Sequence, residues 1–465
     1  MARRTAAARK TEKEQDLFGL EPFLTAFDPS DLPGSSIDPL GFDRGYNFLA
    51  DRILPGLTNV GRRPRYFSLL CAGASLAQVA GELPERMQYE ARLPCVLRLE
   101  RLWVLANLLG SDEENLSSRA GVRGALYGRD RLAQLDARGE KRTGTDFELL
   151  ARQVTYGVVG IYGSVAEGMK LLDRWTLSLT PALGGRLGEA FLEETKVPSA
   201  VLKAARDPEA EVSLAQLTEW GRRAHILSPP GAVEAECLGE ALHVDGVRSR
   251  MAELLMEYPY KSDRETELGR LSRIARASST RKDHPDLHEA LELILAFEPC
   301  YQAMLLAFER LLWLARQFDT QSVPVATAAE DGILAEVAAK LPAAVQALEH
   351  SIEAATTPAL TSGMQRLEDA RQFLQRASAA VSGGGGPGAF LEELVGRHGQ
   401  VQRGKFDMGR PKLPWIERRG SRFELTLARA GDLRDEPTSV KQIRPHEYRV
   451  QSADALIAAA EGRVA

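Results

Sequence analysis

Pro55-Gly56-Leu57-Thr58-Asn59-Val60-Gly61-Arg62-Arg63-Pro64-Arg65-Tyr66-Phe67-Ser68 is the densest stretch of this 465-residue chain. Pro55-Gly56 stops the short helix predicted over Tyr46 to Ile53, and Pro64, tolerated in a first helical turn, opens the next. From Arg65 to Ala80, Tyr66, Leu69, Leu70, Gly73 and Leu76 recur at helical spacing. Arg62, Arg63 and Arg65 therefore surround a helix start. A guanidinium is a planar fork for carboxylate or phosphate, and a helix start adds free N–H groups. Two readings follow. The arginines bind an anion, or they pair within the chain with acidic residues such as Asp38, Asp43 or Asp51.

Outward from this stretch, helical patterns dominate. Glu85 to Leu109 carries Leu93, Val96, Leu97, Leu99, Leu102, Val104 and Leu105 on a broad apolar face, and Pro94 marks its kink or its start. Asp112 to Thr143 contains several glycines and is predicted as an exposed elaboration with one short helix. Phe147 to Tyr162 and Ser164 to Leu172 follow as helices, then Arg174 to Ser178 as a turn or strand. Thr180 caps a helix opening at Pro181. This order resembles the helix, short strand and "LT-x-x-G-x-x-L" end of winged-helix domains. Apolar residues three and four apart predict further helices over Leu214 to His225, Glu240 to Tyr258, Glu265 to Ser279, Leu287 to Phe318 and Ile333 to Glu353. No tight repeat period argues for a solenoid. The run Val381 to Gly388, with five glycines, reads as a linker. Beyond it come a helix over Ala389 to Gly396, two strands, Trp415 to Glu417 and Phe423 to Leu427, around the turn Arg419-Gly420, and a closing helix over Asp454 to Ala460.

The expected fold is thus mainly α: a multidomain helical protein with a winged-helix-like unit and a small basic α+β C-terminal module. Its expected parts are a basic tail and extended arm over 1–45, an N-terminal helical domain over 46–200 with the winged-helix-like end, and a helical domain over 201–380. The glycine-rich linker over 381–388 and the basic module over 389–465 complete it.

Composition narrows the function. A net charge of -5 spreads no nucleic-acid footprint over the whole chain, so a local basic face would have to supply one. Cys71, Cys95, Cys237 and Cys300 form no CxxC pair, which speaks against a zinc knuckle and for buried thiols in a reducing compartment. Met1 to Glu14 lacks an apolar signal region and reads as a solvated basic end. Charge interrupts the apolar runs, so no membrane span is expected and the cytoplasm is the simplest location.

Leu391 to Ala430 is where the charge changes. Arg397, Arg403, Lys405, Arg410, Lys412, Arg418, Arg419, Arg422 and Arg429 stand against Glu392, Glu393, Asp407, Glu417 and Glu424, nine against five, with Phe406, Trp415 and Phe423 among them. Basic side chains interleaved with aromatics suit a nucleic-acid backbone, and they equally suit an acidic partner protein. Other constellations carry less. His284 and His288 stand four apart, but Pro285 places His284 at or before the helix start and no third ligand is evident. Ser68 and Ser164 have no His/Asp arrangement around them. Trp103, Trp220 and Trp313 fall in helices and read as core or interface anchors.

Ile53 to Val60, with Arg63-Pro64-Arg65-Tyr66-Phe67-Ser68, resembles the early region of a group of bacterial proteins encoded near mobile-element or anti-phage defence genes. Tyr156-Gly157 to Leu172, Leu179-Thr180-Pro181, and Arg397-His398 to Lys405 with Pro414-Trp415-Ile416 share the resemblance. It implies a defence or DNA-transaction context and supplies no catalytic residue. The expectation is a non-catalytic nucleic-acid-binding or assembly component, with DNA contacted through its backbone, partner proteins in a complex, and no cofactor or metal. A protein–protein adaptor and an enzyme whose site escapes the sequence are the alternatives.

Overall fold

A computed structural model describes residues 38–77, 83–111, 121–279, 285–407, 410–426 and 436–464, without the side chains of 406 and 407. The basic tail, most of the extended arm, His284, Leu427 and Arg429 lie outside these residues. The chain is mainly helical and multidomain, with small β-sheets. It divides into two compact units, one formed by residues 1–49 and 289–446, the other by 50–288 and 447–465. Each unit is assembled from separated stretches, so the expected boundaries at 200 and 381 do not separate compact units.

The larger unit is organised around Pro55 to Ser68. Helix Arg65–Ser75 begins directly after Pro64 and is buried over nearly its whole length. Helix Glu85–Gly110 contains Pro94 rather than starting at it. Helix Leu214–Arg223 lies closely on it, because Gly221 meets the backbone of Ala106 where no Cβ would fit. Trp103 and Trp220 are fully buried and satisfied: Trp103 Nε1 donates to the Ala224 carbonyl at 2.7 Å and Trp220 Nε1 to Thr195 Oγ1 at 3.1 Å. Tyr66 stacks on Tyr162 and meets Trp103 edge-on.

Several local expectations need correction here. Phe147 to Tyr162 is not one helix; Gln153–Tyr156 and Val158–Gly168 are helical, broken at the extended Gly157. Leu172–Asp173 pairs antiparallel with Ser178–Leu179, so the brief strand is a hairpin. Thr180 does cap: its Oγ1 accepts from the Gly184 amide at 3.1 Å, at a π-helical turn Pro181–Gly185 leading into helix Arg186–Glu194. The span Glu240 to Tyr258 is split, since Asp245 Oδ1 accepts from the amides of Val247 and Arg248 at 3.0 Å and starts a new helix, Gly246–Glu257.

In the other unit, helices Gly332–Ala354, Glu368–Ala380 and Gly386–Arg403 pack on one another, and helix Pro285–Arg316 meets them through Phe308 against His398 and through Arg310, which binds Asp331 at the start of Gly332–Ala354. Helix Pro285–Arg316 is long and apolar enough to cross a membrane by length and composition, contrary to expectation. Its apolar side chains are largely core: Leu291, Leu293, Ile294, Phe297, Met304 and Leu311 are buried. Phe42, Phe297, Tyr301 and Phe373 form an edge-to-face cluster. The glycine run is not a spacer between domains. Val381–Gly385 makes a π-helical kink, with Gly384 at φ +88°, joining two packed helices of this unit. The expected hairpin is present as Ile416–Arg419 and Arg422–Leu425 around Gly420 at φ +59°. A third strand, Ser322–Pro324, extends it, pairing Val323 with Phe423. The C-terminal stretch is therefore no separate module. Residues to 446 complete one unit, and helix Val450–Ala460 packs on Ala232–Leu242 in the other.

Candidate functional site

Arg62 and Arg65 are committed to intramolecular partners, though not the ones expected. Arg62 Nε donates to the Asn59 carbonyl at 2.8 Å, and its Nη2 pairs with Glu447. Arg65 is 5% exposed; its Nη1 lies 3.3 Å from Glu234 Oε2 and its Nη2 donates to the Pro229 carbonyl at 2.7 Å. Glu234 in turn accepts from Ser68 Oγ at 2.7 Å. Asp51 instead pairs with Arg449, and Asp38 caps the turn at Leu40 to Asp43. Burial pushes the Glu234 carboxyl up and the Arg65 guanidinium down, while their mutual attraction opposes both shifts.

The same stretch also accepts hydrogen bonds from distant residues. The Pro55 carbonyl accepts from Arg248 Nη1 at 2.7 Å, Thr58 from Ser452 Oγ at 2.7 Å, and Asn59 Oδ1 from the Arg449 amide at 3.1 Å. Gly56, at φ +76°, brings its backbone against Gly168 so closely that a Cβ would lie 3.0 Å from Gly168 Cα. These are the contacts of a structural clamp. Beside it Arg63, Pro64, Arg65, Ser228, Glu234 and Arg463 line part of a shallow cleft of about 310 Å³ counting its open mouth. Arg63 is half-buried there, and Arg463 is exposed and paired with Glu461.

The basic residues of the other unit are distributed over the end of helix Gly386–Arg403, the antiparallel pair Phe406–Asp407 with Arg410–Pro411, and the hairpin of Ile416–Arg419 and Arg422–Leu425. Arg403, Arg410, Arg418 and Arg419 are exposed, whereas Lys405, Lys412 and Arg422 are half-buried. Three of the exposed guanidiniums face carboxylates: Arg403 with Glu417 at 3.3 Å, Arg418 with Glu392 at 2.7 Å and Arg419 with Glu424 at 3.5 Å. Lys405 Nζ donates to the Asp38 carbonyl at 2.6 Å. Arg422 binds Ser322 through Nε to Oγ at 2.8 Å and through Nη2 to the carbonyl at 2.7 Å, tying the third strand to the hairpin. Arg397 is half-buried and donates to the Leu40 carbonyl at 2.8 Å.

His398, adjacent to Arg397, is fully buried. Its Nδ1 meets the Pro39 carbonyl at 2.9 Å and its Nε2 accepts from the Trp415 amide at 2.8 Å, an arrangement that suits only the neutral ring. Burial accordingly lowers its pKa to about 4. The ring is a structural pin. Elsewhere, His288 lies 3.2 Å from Ser278 Oγ, and all four cysteines are buried as free thiols. No protein-family profile, curated protein or solved structure matches the chain.

The sequence did not identify Glu234 and Glu447 as the partners of Arg65 and Arg62, because they lie more than 160 and 380 residues away. The only local hint was the presence of unbalanced arginines at a helix start, which demands some counter-charge without saying which.

Proposed function

We propose that this chain is a non-catalytic nucleic-acid-binding or assembly component, acting in the bacterial defence context implied by the resemblance of Ile53 to Ser68. The observation that carries the reading is the set of exposed guanidiniums, Arg403, Arg410, Arg418 and Arg419, on one helix end and the two strand pairs that follow it. Solvent-exposed ion pairs such as Arg418 with Glu392 contribute on the order of 1 kcal/mol or less. Phosphates can therefore replace those carboxylates at little cost, and the release of counterions from the polyanion drives binding. Within this reading Val158–Gly168, the hairpin after it and the helix opening at Pro181 serve as a winged-helix-like unit. The protein works in the cytoplasm with partner proteins and without a cofactor.

The test is binding of labelled duplex and single-stranded DNA across a salt series. Each phosphate contact adds about -0.9 to the slope of log K against log salt for duplex. Joint substitution Arg410→Glu with Arg419→Glu is expected to reduce that slope by about 2. Absence of binding at low ionic strength, or an unchanged slope in the double variant, refutes the reading. Deleting 381–465 is not a usable test, since that stretch contributes to both compact units.

A second reading, a protein adaptor, is favoured by one specific feature. Arg403, Arg418 and Arg419 each already face a carboxylate, and such an alternating-charge surface suits a partner protein of matching pattern. Copurification of a protein partner that the Arg410/Arg419 charge reversal dislodges, without nucleic acid in the complex, would favour it.

A further inference from the structure

We propose that residues 11–37 dock on the chain's own basic face, at the end of helix Gly386–Arg403 and the strand pairs that follow, and compete there with a polyanion. The competition rests on the nucleic-acid reading above; the docking does not. The structure supplies the anchor. Arg397 Nε donates to the Leu40 carbonyl at 2.8 Å, His398 Nδ1 meets the Pro39 carbonyl at 2.9 Å, and Lys405 Nζ donates to the Asp38 carbonyl at 2.6 Å. Followed towards the N-terminus, these contacts advance from Arg397 to Lys405. Residues before Asp38 are therefore delivered to the C-terminal end of the helix, where the exposed guanidiniums lie. The Asp38 carboxylate is itself spent in the turn, accepting from the amides of Gly41 at 2.6 Å and Asp43 at 2.9 Å.

Charge selects the occupant. Residues 11–37 carry Glu12, Glu14, Asp16, Glu21, Asp28 and Asp31 against Lys13, six carboxylates against one cation. Residues 392–424 carry eight Lys/Arg and five Asp/Glu, so the ion pairs of Arg403, Arg418 and Arg419 leave the face positive. Residues 1–10 hold Arg3, Arg4, Arg9 and Lys10 with no carboxylate, and the face repels them. The change of sign after Lys10 thus singles out the stretch next to the anchor. Phe18, Leu20, Phe23, Leu24 and Phe27 lie among its carboxylates, and the face offers them Leu413, 61% exposed beside Lys412.

Reach and strength agree with this assignment. Asp31 and Asp28 stand seven and ten residues before Asp38, a span of about 25–35 Å when extended. The face is closer than that. The Lys412 amide donates to the Lys405 carbonyl at 2.8 Å, and Arg410 pairs across from Asp407 on strands about 5 Å apart. Arg403, 3.3 Å from Glu417, ties the next hairpin to the same helix end. Exposed ion pairs are weak one by one and are screened beyond about 10 Å at 0.1 M salt. The covalent tether compensates by holding the segment at an effective concentration on the order of millimolar. Such a segment covers the face at low salt and still yields to a polyanion that releases counterions.

The experiment places a fluorophore on the full chain at Ser30→Cys; the four native cysteines are buried. Label anisotropy is followed over a salt series in three backgrounds. These are the otherwise native chain, Arg410→Glu/Arg419→Glu, and a variant with the six carboxylates of residues 11–37 changed to amides. Labelled duplex DNA is titrated separately into wild type and the amide variant. High salt and each set of substitutions should release the segment and lower the anisotropy of its label. The amide variant should bind duplex about tenfold more tightly than wild type at low salt, the gain for a face covered about nine-tenths of the time. That gain should shrink as salt rises. Thermal melts of wild type and Arg410→Glu/Arg419→Glu should coincide, because both arginines are exposed. Anisotropy that ignores the charge reversal overturns the docking, whether or not DNA binds. Release by charge reversal with no duplex binding by any protein supports the docking and refutes the nucleic-acid reading. Equal duplex affinity of wild type and the amide variant overturns the competition. Release on simple dilution of the protein assigns the segment to the face of a second copy and overturns docking within one chain.

Discussion

Glu100→Gln offers the most direct measurement of the forces inside the larger unit. Glu100 is fully buried on helix Glu85–Gly110 and accepts from Gln153 Nε2 at 2.7 Å and from the Val158 amide at 2.7 Å. Val158 is the first residue of its helix, so the carboxylate sits at a helix N-terminus, where negative charge is favoured. Burial works in the other direction and dominates, raising the carboxyl from 4.5 to about 7. That rise from 4.5 to about 7, at about 1.4 kcal/mol for each factor of ten in proton affinity, corresponds to about 3 kcal/mol. The native state binds the proton more tightly than the unfolded chain does. This contribution is therefore complete below pH 4.5 and is lost as pH rises through about 7. Urea unfolding of wild type and Glu100→Gln, followed by fluorescence over that range, isolates the effect. Glu267, also raised to about 7, titrates in both proteins and cancels in the difference. Wild-type stability relative to Glu100→Gln should fall by about 3 kcal/mol across the window and level off above it. A pH-independent difference, or a wild type that gains with rising pH, refutes the reasoning; the hydrogen bonds and helix terminus would then outweigh burial.

The remaining predictions concern the clamp, the helix contact and the basic face. Glu234→Ala leaves Arg65 buried without its counter-charge and should cost about 3–5 kcal/mol, measured by chemical denaturation, with Ser68→Ala nearer 1 kcal/mol. Gly221→Ala places a Cβ 1.8 Å from the Ala106 carbonyl oxygen, so it should lower the melting temperature sharply. Gly246→Ala meets nothing within 4 Å in a helix and should leave stability unchanged or slightly raised. For nucleic acid, the salt slope should respond to Arg410 and Arg419, and affinity at low salt to the carboxylates of residues 11–37.

The features that could be read from sequence were those completed by neighbouring residues. Thr180-Pro181 specifies a cap and a first turn within a few positions, and Thr180 makes that bond. Gly420 supplies the positive φ needed by the hairpin around it. Split helices were harder, because the apolar spacing of Glu240 to Tyr258 runs on through Asp245 and only the side-chain cap breaks it. Val381 to Gly388 misled for a related reason: glycine permits both a flexible spacer and a tight kink, and the packing of the flanking helices selects between them. The candidate site followed the same rule. The basic composition around Arg403 to Arg422 was visible, but that Ser322 and the Asp38 carbonyl draw Arg422 and Lys405 inward, and that Glu392, Glu417 and Glu424 face Arg418, Arg403 and Arg419, depends on residues brought there by the fold.

The sequence by itself determined that helices predominate, that Pro55-Gly56 and Pro64 punctuate the chain, and that three arginines gather at a helix start. Those properties rest on backbone restriction and on the 3.6-residue period, both of which act within a few turns. Only the tertiary structure decided what the arginines serve. A guanidinium needs an acceptor at hydrogen-bonding distance, and Glu234 and Glu447 reach that distance through folding alone. The course of residues 38–40 was settled in the same way, by Arg397, His398 and Lys405 holding their carbonyls.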